Sequence, residues 1–243
     1  MIVYDLLANK RTVNISAHED DVNSCCWADP SSGNVLVSAS DDAFLKVWYG
    51  DSIPCSLISS KQPFDRDRRS LGPSAKPSGV LIGHTEGITY VSAKGDGRYV
   101  ISNGKDQALR LWDLRKMRSN EEFEAVEHKR FGVRNFDYRF VDYFLNQNRY
   151  LDIAYRYPHY PKPKFKAHPK DCSVMTYRGH SVLRTLIRCH FSPTETTGAQ
   201  YIYSGSADGK IHVNISFSCL YRDTLTSMVF SDMVTRWENC SCP

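Results

Sequence analysis

The chain has 243 residues, 41% of them hydrophobic, and its 31 basic and 27 acidic side chains leave a net charge of +4. That is enough apolar material for a globular core. No apolar run approaches the roughly 18 residues of a membrane-spanning helix, and so mild a charge makes no case for nucleic acid by itself. The N-terminus, MIVYDLLANK, lacks a charged leader followed by a long apolar stretch, so no secretory signal is expected. Free thiols in a reducing compartment, nucleus or cytoplasm, follow for the eight cysteines.

In chain order, Ile2-Val3-Tyr4-Asp5 reads as the end of a repeat whose start is missing. Residues 18–48 then open with His18, continue in alternating apolar residues, turn at Ser38-x-x-x-Asp42 and close on Trp48. After a Pro-, Ser- and charge-rich insert near 53–79, the pattern returns over 83–115 with His84, Ser102, Asp106 and Trp112. It starts again over 179–213 with His180, Ser204 and Asp208. The place of the third Trp holds Asn214, and residues 214–243 match no following repeat. The alternation suits short strands around a tight turn.

This recurring unit resembles the WD repeat, one four-stranded blade of a β-propeller. The fold class expected is all-β: an incomplete propeller of two full and two partial blades, with a long irregular insert and a divergent C-terminal tail. The repeats run over about 18–60, 80–118 and 179–213, all within a propeller segment 1–213; the insert covers about 119–177 and the tail 214–243. A chain truncated at both ends is expected, with exposed apolar faces at its open ends. The resemblance implies two hydrogen-bonded tetrads, His84, Ser102, Asp106 and Trp112 in one blade and His18, Ser38, Asp42 and Trp48 in the other. A Ser/His/Asp trio also suggests nucleophilic catalysis, but a catalytic set occurs once per site and this one recurs per repeat, so no catalytic residue is assigned.

The insert holds 13 of the 25 Phe and Tyr, from Phe123 to Tyr177, with Arg and Lys interleaved as in Asn135-Phe136-Asp137-Tyr138-Arg139. Packing onto the propeller, a partner-binding loop and base stacking all remain open, in that order of preference, because Glu121, Glu122, Glu124 and Glu127 mix the charge. No cysteines pair as C-x-x-C, so neither a metal nor a cofactor is expected. Cys25, Cys26 and Cys189 read as small buried hydrophobes. Asn214-Ile-Ser and Asn239-Cys-Ser match glycosylation acceptors by chance.

Trp112-Asp113-Leu114-Arg115 closes the second repeat. With its flanks SNGKDQALRLWDLRKM, NFDYRF and MTYRGHSVLRTLIRCHFSP, it resembles the damaged-DNA-binding-protein- and cullin-associated factor eleven family. That resemblance implies a non-catalytic substrate receptor of a cullin-4 RING ubiquitin ligase. Its WD-x-R box would dock on the ligase adaptor, the larger damaged-DNA-binding protein, with Arg115 as anchor and Asp113 orienting it. The family's second box is lost here, since the preceding repeat reads Trp48-Tyr49-Gly50-Asp51. A general WD-repeat scaffold and an RNA-associated propeller are the alternatives. The degradation substrate is not named by any residue.

Overall fold

The structure is a computed structural model and describes residues 1–7, 9–49, 76–125, 167–183, 185–216 and 228–229. Strands β1 (Ile2–Asp5) and β2 (Lys10–Asn14) form a two-stranded sheet. Three four-stranded antiparallel sheets follow, each a simple meander. The first holds β3 (Val22–Trp27), β4 (Val35–Ser40), β5 (Leu45–Tyr49) and β6 (Gly79–Leu81). The second holds β7 (Ile88–Ala93), β8 (Tyr99–Gly104), β9 (Ala108–Asp113) and β10 (Met175–Tyr177). The third holds β11 (Cys189–Phe191), β12 (Tyr201–Gly205), β13 (Ile211–Ile215) and β14 (Met228–Val229). Among the described residues only two short α-helices occur, α1 (Asn120–Glu124) and α2 (Thr194–Thr197).

Each blade is therefore offset by one strand from the repeat that encodes it. The outer strand β6 follows the first insert and heads the second repeat, while β10 comes from the last residues of the expected long insert. β14 lies within residues 214–243 and pairs with β13 through His212↔Val229 and Val213↔Met228.

Alternation along each strand explains the packing. Successive side chains point to opposite faces, and each middle sheet is covered on both. Val100 and Trp112 join Val37, Ala39, Leu45, Val47 and Leu81 in the layer between the first and second four-stranded sheets. Their neighbours Ile101, Leu109 and Leu111 face the other way, onto Cys189 and Ile202 of the third sheet. The two-stranded sheet packs Met1 and Val3 on Ile15, Leu36 and Trp48. At the ends, Ile2 and Tyr4 are exposed on the first sheet, and Tyr203, Ile211 and Ile215 on the last.

The same turn joins the second and third strands of every four-stranded sheet. The Asp carboxylate accepts the backbone N–H two residues on: Phe44 N–H to Asp42 at 3.0 Å, Ala108 N–H to Asp106 at 3.2 Å and Lys210 N–H to Asp208 at 3.0 Å. That closure turns the next residue left-handed, with φ of 72° at Ala43, 59° at Gln107 and 80° at Gly209. Only the last is a glycine, which adopts such a φ at no steric cost.

The outer edge of the first four-stranded sheet is covered. Val80 N–H donates to the Arg118 carbonyl at 2.9 Å and Arg118 N–H to the Val80 carbonyl at 2.8 Å, which removes a strand edge otherwise open to pairing. Phe123 of α1 stacks edge-on against Phe44 at 4.9 Å. One expectation fails: Cys25 is exposed, not buried. Adjacent residues of β3 face opposite ways, so Cys25 and Cys26 cannot both enter the same apolar layer.

Candidate partner-docking site

The two tetrads form the rigid frame. Trp48 Nε1–H donates to Ser38 Oγ at 2.9 Å, Ser38 Oγ lies 2.7 Å from His18 Nε2, and His18 Nδ1 lies 2.7 Å from an Asp42 oxygen. In the next blade Trp112 Nε1–H donates to Ser102 Oγ at 2.8 Å, with Ser102 Oγ 2.7 Å from His84 Nε2 and His84 Nδ1 3.0 Å from Asp106. An indole N–H can only donate, so the serine accepts it and gives its own proton to Nε2. The imidazole proton then sits on Nδ1 and points at the aspartate. Burial pushes the Asp106 carboxyl up, but His84, Arg110 and the Thr85 N–H outweigh it and hold it below the ordinary range. The trio has no exposed nucleophile: Ser102, His84 and Asp106 are all buried.

The third blade departs from this. With Asn214 at the Trp position, Ser204 Oγ accepts instead from Asn103 Nδ2 at 3.0 Å. His180 Nε2 meets Asn103 Oδ1 at 2.6 Å, and Asp208 faces His212 at 3.4 Å. The seam to the second four-stranded sheet is completed by Gln107, which bonds the Val182 backbone at 2.9 and 2.7 Å. Burial and the neighbouring His212 push the His180 imidazole down to about 4. Cys189 is fully buried, and desolvation raises its thiol.

At the opposite end of β9 from Asp106 lies the Trp112–Arg115 box. Trp112 and Leu114 are buried. The Asp113 side chain is 4% exposed and caps the 3-10 turn Leu114–Lys116, accepting the Arg115 N–H at 3.1 Å. Arg115 folds back on it, Nε at 3.2 Å and Nη2 at 3.1 Å, yet remains 57% exposed. A second guanidinium shares this carboxylate: Arg98 places Nε at 3.2 Å and Nη2 at 3.0 Å from Asp113 Oδ2. Arg98 follows the Asp96-Gly97 turn, where Asp96 accepts both the Arg98 and Tyr99 N–H groups at 2.9 Å. Its guanidinium carbon sits 4.5 Å from the Tyr99 ring centre, within reach of a cation–π contact.

The sequence singles out Trp112, Asp113, Leu114 and Arg115 and gives no sign of Arg98 as the second counter-ion of Asp113. The antiparallel register reveals it, since Tyr99 pairs with Asp113 and Arg98 is the next residue out. In the preceding blade Tyr49 takes the Asp113 place and packs against the apolar layer, so no carboxylate stands there. Gly50 and Asp51 lie outside the described residues. Of the insert aromatics, Phe123 and Tyr177 pack into the fold, Tyr177 O–H donating to the Ile215 and Ser216 carbonyls at 3.0 and 3.1 Å. The rest, Phe131 to Phe165, lie outside the described residues. Among the described residues no cluster of His, Cys, Asp and Glu could hold a metal ion.

Known proteins resemble this chain in sequence. The family model of the WD domain, G-beta repeat, fits residues 9–49, 75–113 and 171–213, about half of the chain. The chain belongs to the WD40 repeat family. Its matched WD40 segments each begin on the strand that closes the preceding blade, the offset seen in the sheets. The LEC14B protein of Lithospermum erythrorhizon is 43% identical over 212 residues, 87% of this chain and 36% of that protein. The DDB1- and CUL4-associated factor 11 homolog of Caenorhabditis elegans is 40% identical over 215 residues, 87% of this chain and 31% of that protein. The nuclear distribution protein PAC1 of Arthroderma otae is 31% identical over 103 residues, 42% of this chain and 18% of that protein. The chain spans about a third of the length of the LEC14B and factor 11 relatives.

Proposed function

We propose that this WD40 chain belongs to a substrate receptor of a cullin-4 RING ubiquitin ligase, and that it docks on the adaptor DDB1 through Asp113–Arg115 without catalysing a reaction itself. Receptor and adaptor would hold a protein substrate near the ligase's conjugating enzyme. The observation that carries the reading is Arg115: an exposed guanidinium held in place by a buried carboxylate. An exposed guanidinium offers several donors to one partner, the character of an interface hot spot. The likeness to the two Caenorhabditis proteins named as DDB1- and CUL4-associated factor 11 homologs supports the choice of partner.

The test is a pull-down of purified DDB1 with the chain and with its Arg115→Ala variant, alongside circular dichroism of both. Binding lost in the variant alone, with both chains folded, is the expected result. A folded wild-type chain that fails to bind, or a variant that binds equally, would leave a WD40 scaffold without this docking function.

A further inference from the structure

Asp113 serves two guanidiniums at once, and their environments differ. Arg98 is 40% exposed and gives both its donors to Oδ2, while Arg115 is 57% exposed and spreads its contacts over Oδ1 and Oδ2. To give its full donor fork to a partner, Arg115 has to release the carboxylate. A buried carboxylate left unpaired resists that release strongly. Here it is not left unpaired: the two Arg98 donors and the Arg115 backbone N–H stay in place. Arg98 is itself fixed from three sides, by the Asp96 turn, by the Tyr99 ring, and by its own carbonyl, which accepts the Leu114 N–H at 2.9 Å.

We propose that Arg98 is a positioning residue for docking, the standing counter-charge of Asp113 that frees Arg115 to engage a protein partner. The proposal rests on the docking function above. Arg98 acts through Asp113 and does not touch the partner.

The experiment compares the wild-type chain with Arg98→Ala, Arg98→Lys, Arg115→Ala and the Arg98→Ala/Arg115→Ala double variant. Purified DDB1 is the binding probe, and urea unfolding of each free chain is the second readout. Arg98→Ala should stay folded and bind DDB1 about tenfold more weakly, because Arg115 is then the only side-chain counter-ion of Asp113 among the described residues. Arg98→Lys, which keeps the charge and loses the fork, should recover part of that loss. In the Arg115→Ala background, Arg98→Ala should weaken binding no further. In the free chain, the double variant should lower the unfolding midpoint by more than the two single changes together. Undiminished binding by Arg98→Ala overturns the proposal. A further loss on top of Arg115→Ala also overturns it, because Arg98 would then touch the partner itself. If the wild-type chain does not bind DDB1, it is the docking function that fails; the unfolding midpoints then decide the shared counter-charge, with additive midpoints overturning it and more-than-additive midpoints supporting it.

Discussion

His180 Nε2 lies 2.6 Å from the Oδ1 atom of Asn103, so a histidine of the last blade is tied to an asparagine of its neighbour instead of to an aspartate of its own. An amide oxygen can only accept, which puts a proton on Nε2, while burial and the neighbouring His212 keep the ring neutral. The same asparagine donates to Ser204 and to the Ile187 carbonyl, so one side chain carries three contacts across the seam.

The seam should weaken in mild acid. The imidazole titrates at about 4 in the fold against an ordinary value of 6.5, because burial and His212 disfavour its charged form. A depressed folded value means that the unfolded chain takes up the proton first, so stability is full above pH 6.5 and falls as pH drops towards 4. The full shift corresponds to a loss on the order of 3 kcal/mol. Urea midpoints measured from pH 7 to pH 4.5 should decline, and His180→Gln should flatten part of that decline. An equally steep decline in the variant would remove His180 as its cause.

Ser102→Ala should destabilise the chain by about 1–3 kcal/mol, since it strands the buried Trp112 N–H and the acceptor side of His84. His84→Ala should cost a similar amount. A thermal melt reads both, and an unchanged melting temperature would mean that the tetrad contributes nothing to stability.

Gly104→Ala should be costly for lack of space. A Cβ there would sit 2.5 Å from both Asp106 Oδ1 and His84 Nδ1, two groups already fixed by each other. Overpacking of this kind costs about 1–3 kcal/mol. Gly95→Ala, where a Cβ meets open space but φ is +90°, separates backbone strain from crowding. Denaturant midpoints of the two variants make the comparison.

Arg110→Ala should destabilise the root of the insert. Arg110 is buried, and its Nη1 bonds Asp171, Ser173 Oγ at 3.0 Å and Thr176 Oγ1 at 3.3 Å. Breaking a pair of this kind costs about 3–5 kcal/mol when fully buried, and less here because Asp171 keeps some exposure. Limited proteolysis should then cut near residues 167–174 sooner than in the wild type. An unchanged cleavage rate would show that the contact does not hold the segment.

Thiol labelling tests the alternation on β3. Cys25 should react in the native chain, whereas Cys26, its thiol pushed up to about 12 by burial and by Cys25, and the buried Cys189 should react only on unfolding. Peptide mapping of the labelled sites by mass spectrometry reads the difference.

Most of this architecture was legible because spacing carried it. Ser-x-x-x-Asp followed by Trp locates two strands, a turn and a buried hydrogen-bond chain at once, and the register fixes which residues meet. Outer strands were harder. β6 and β10 are three residues each, and long connections separate them from their pairing partners β5 and β9. No local pattern announces a partner so distant in sequence. Arg98 was missed for a related reason: it acts across a strand pair, and nothing in its own neighbourhood names Asp113. Asn103 and Gln107 belong to no motif in the sequence, and only the packing of one blade on the next gives them their role.

The offset between repeat and blade has a genetic consequence. A copied repeat carries with it the strand that closes the sheet before it, and leaves its own sheet to be closed by the repeat that follows. Inserting such a unit at a repeat boundary therefore leaves every interrupted sheet with a closing strand. Losing part of a repeat instead leaves a sheet short of a strand, so an array of this kind tolerates duplication of a whole repeat better than loss of half of one.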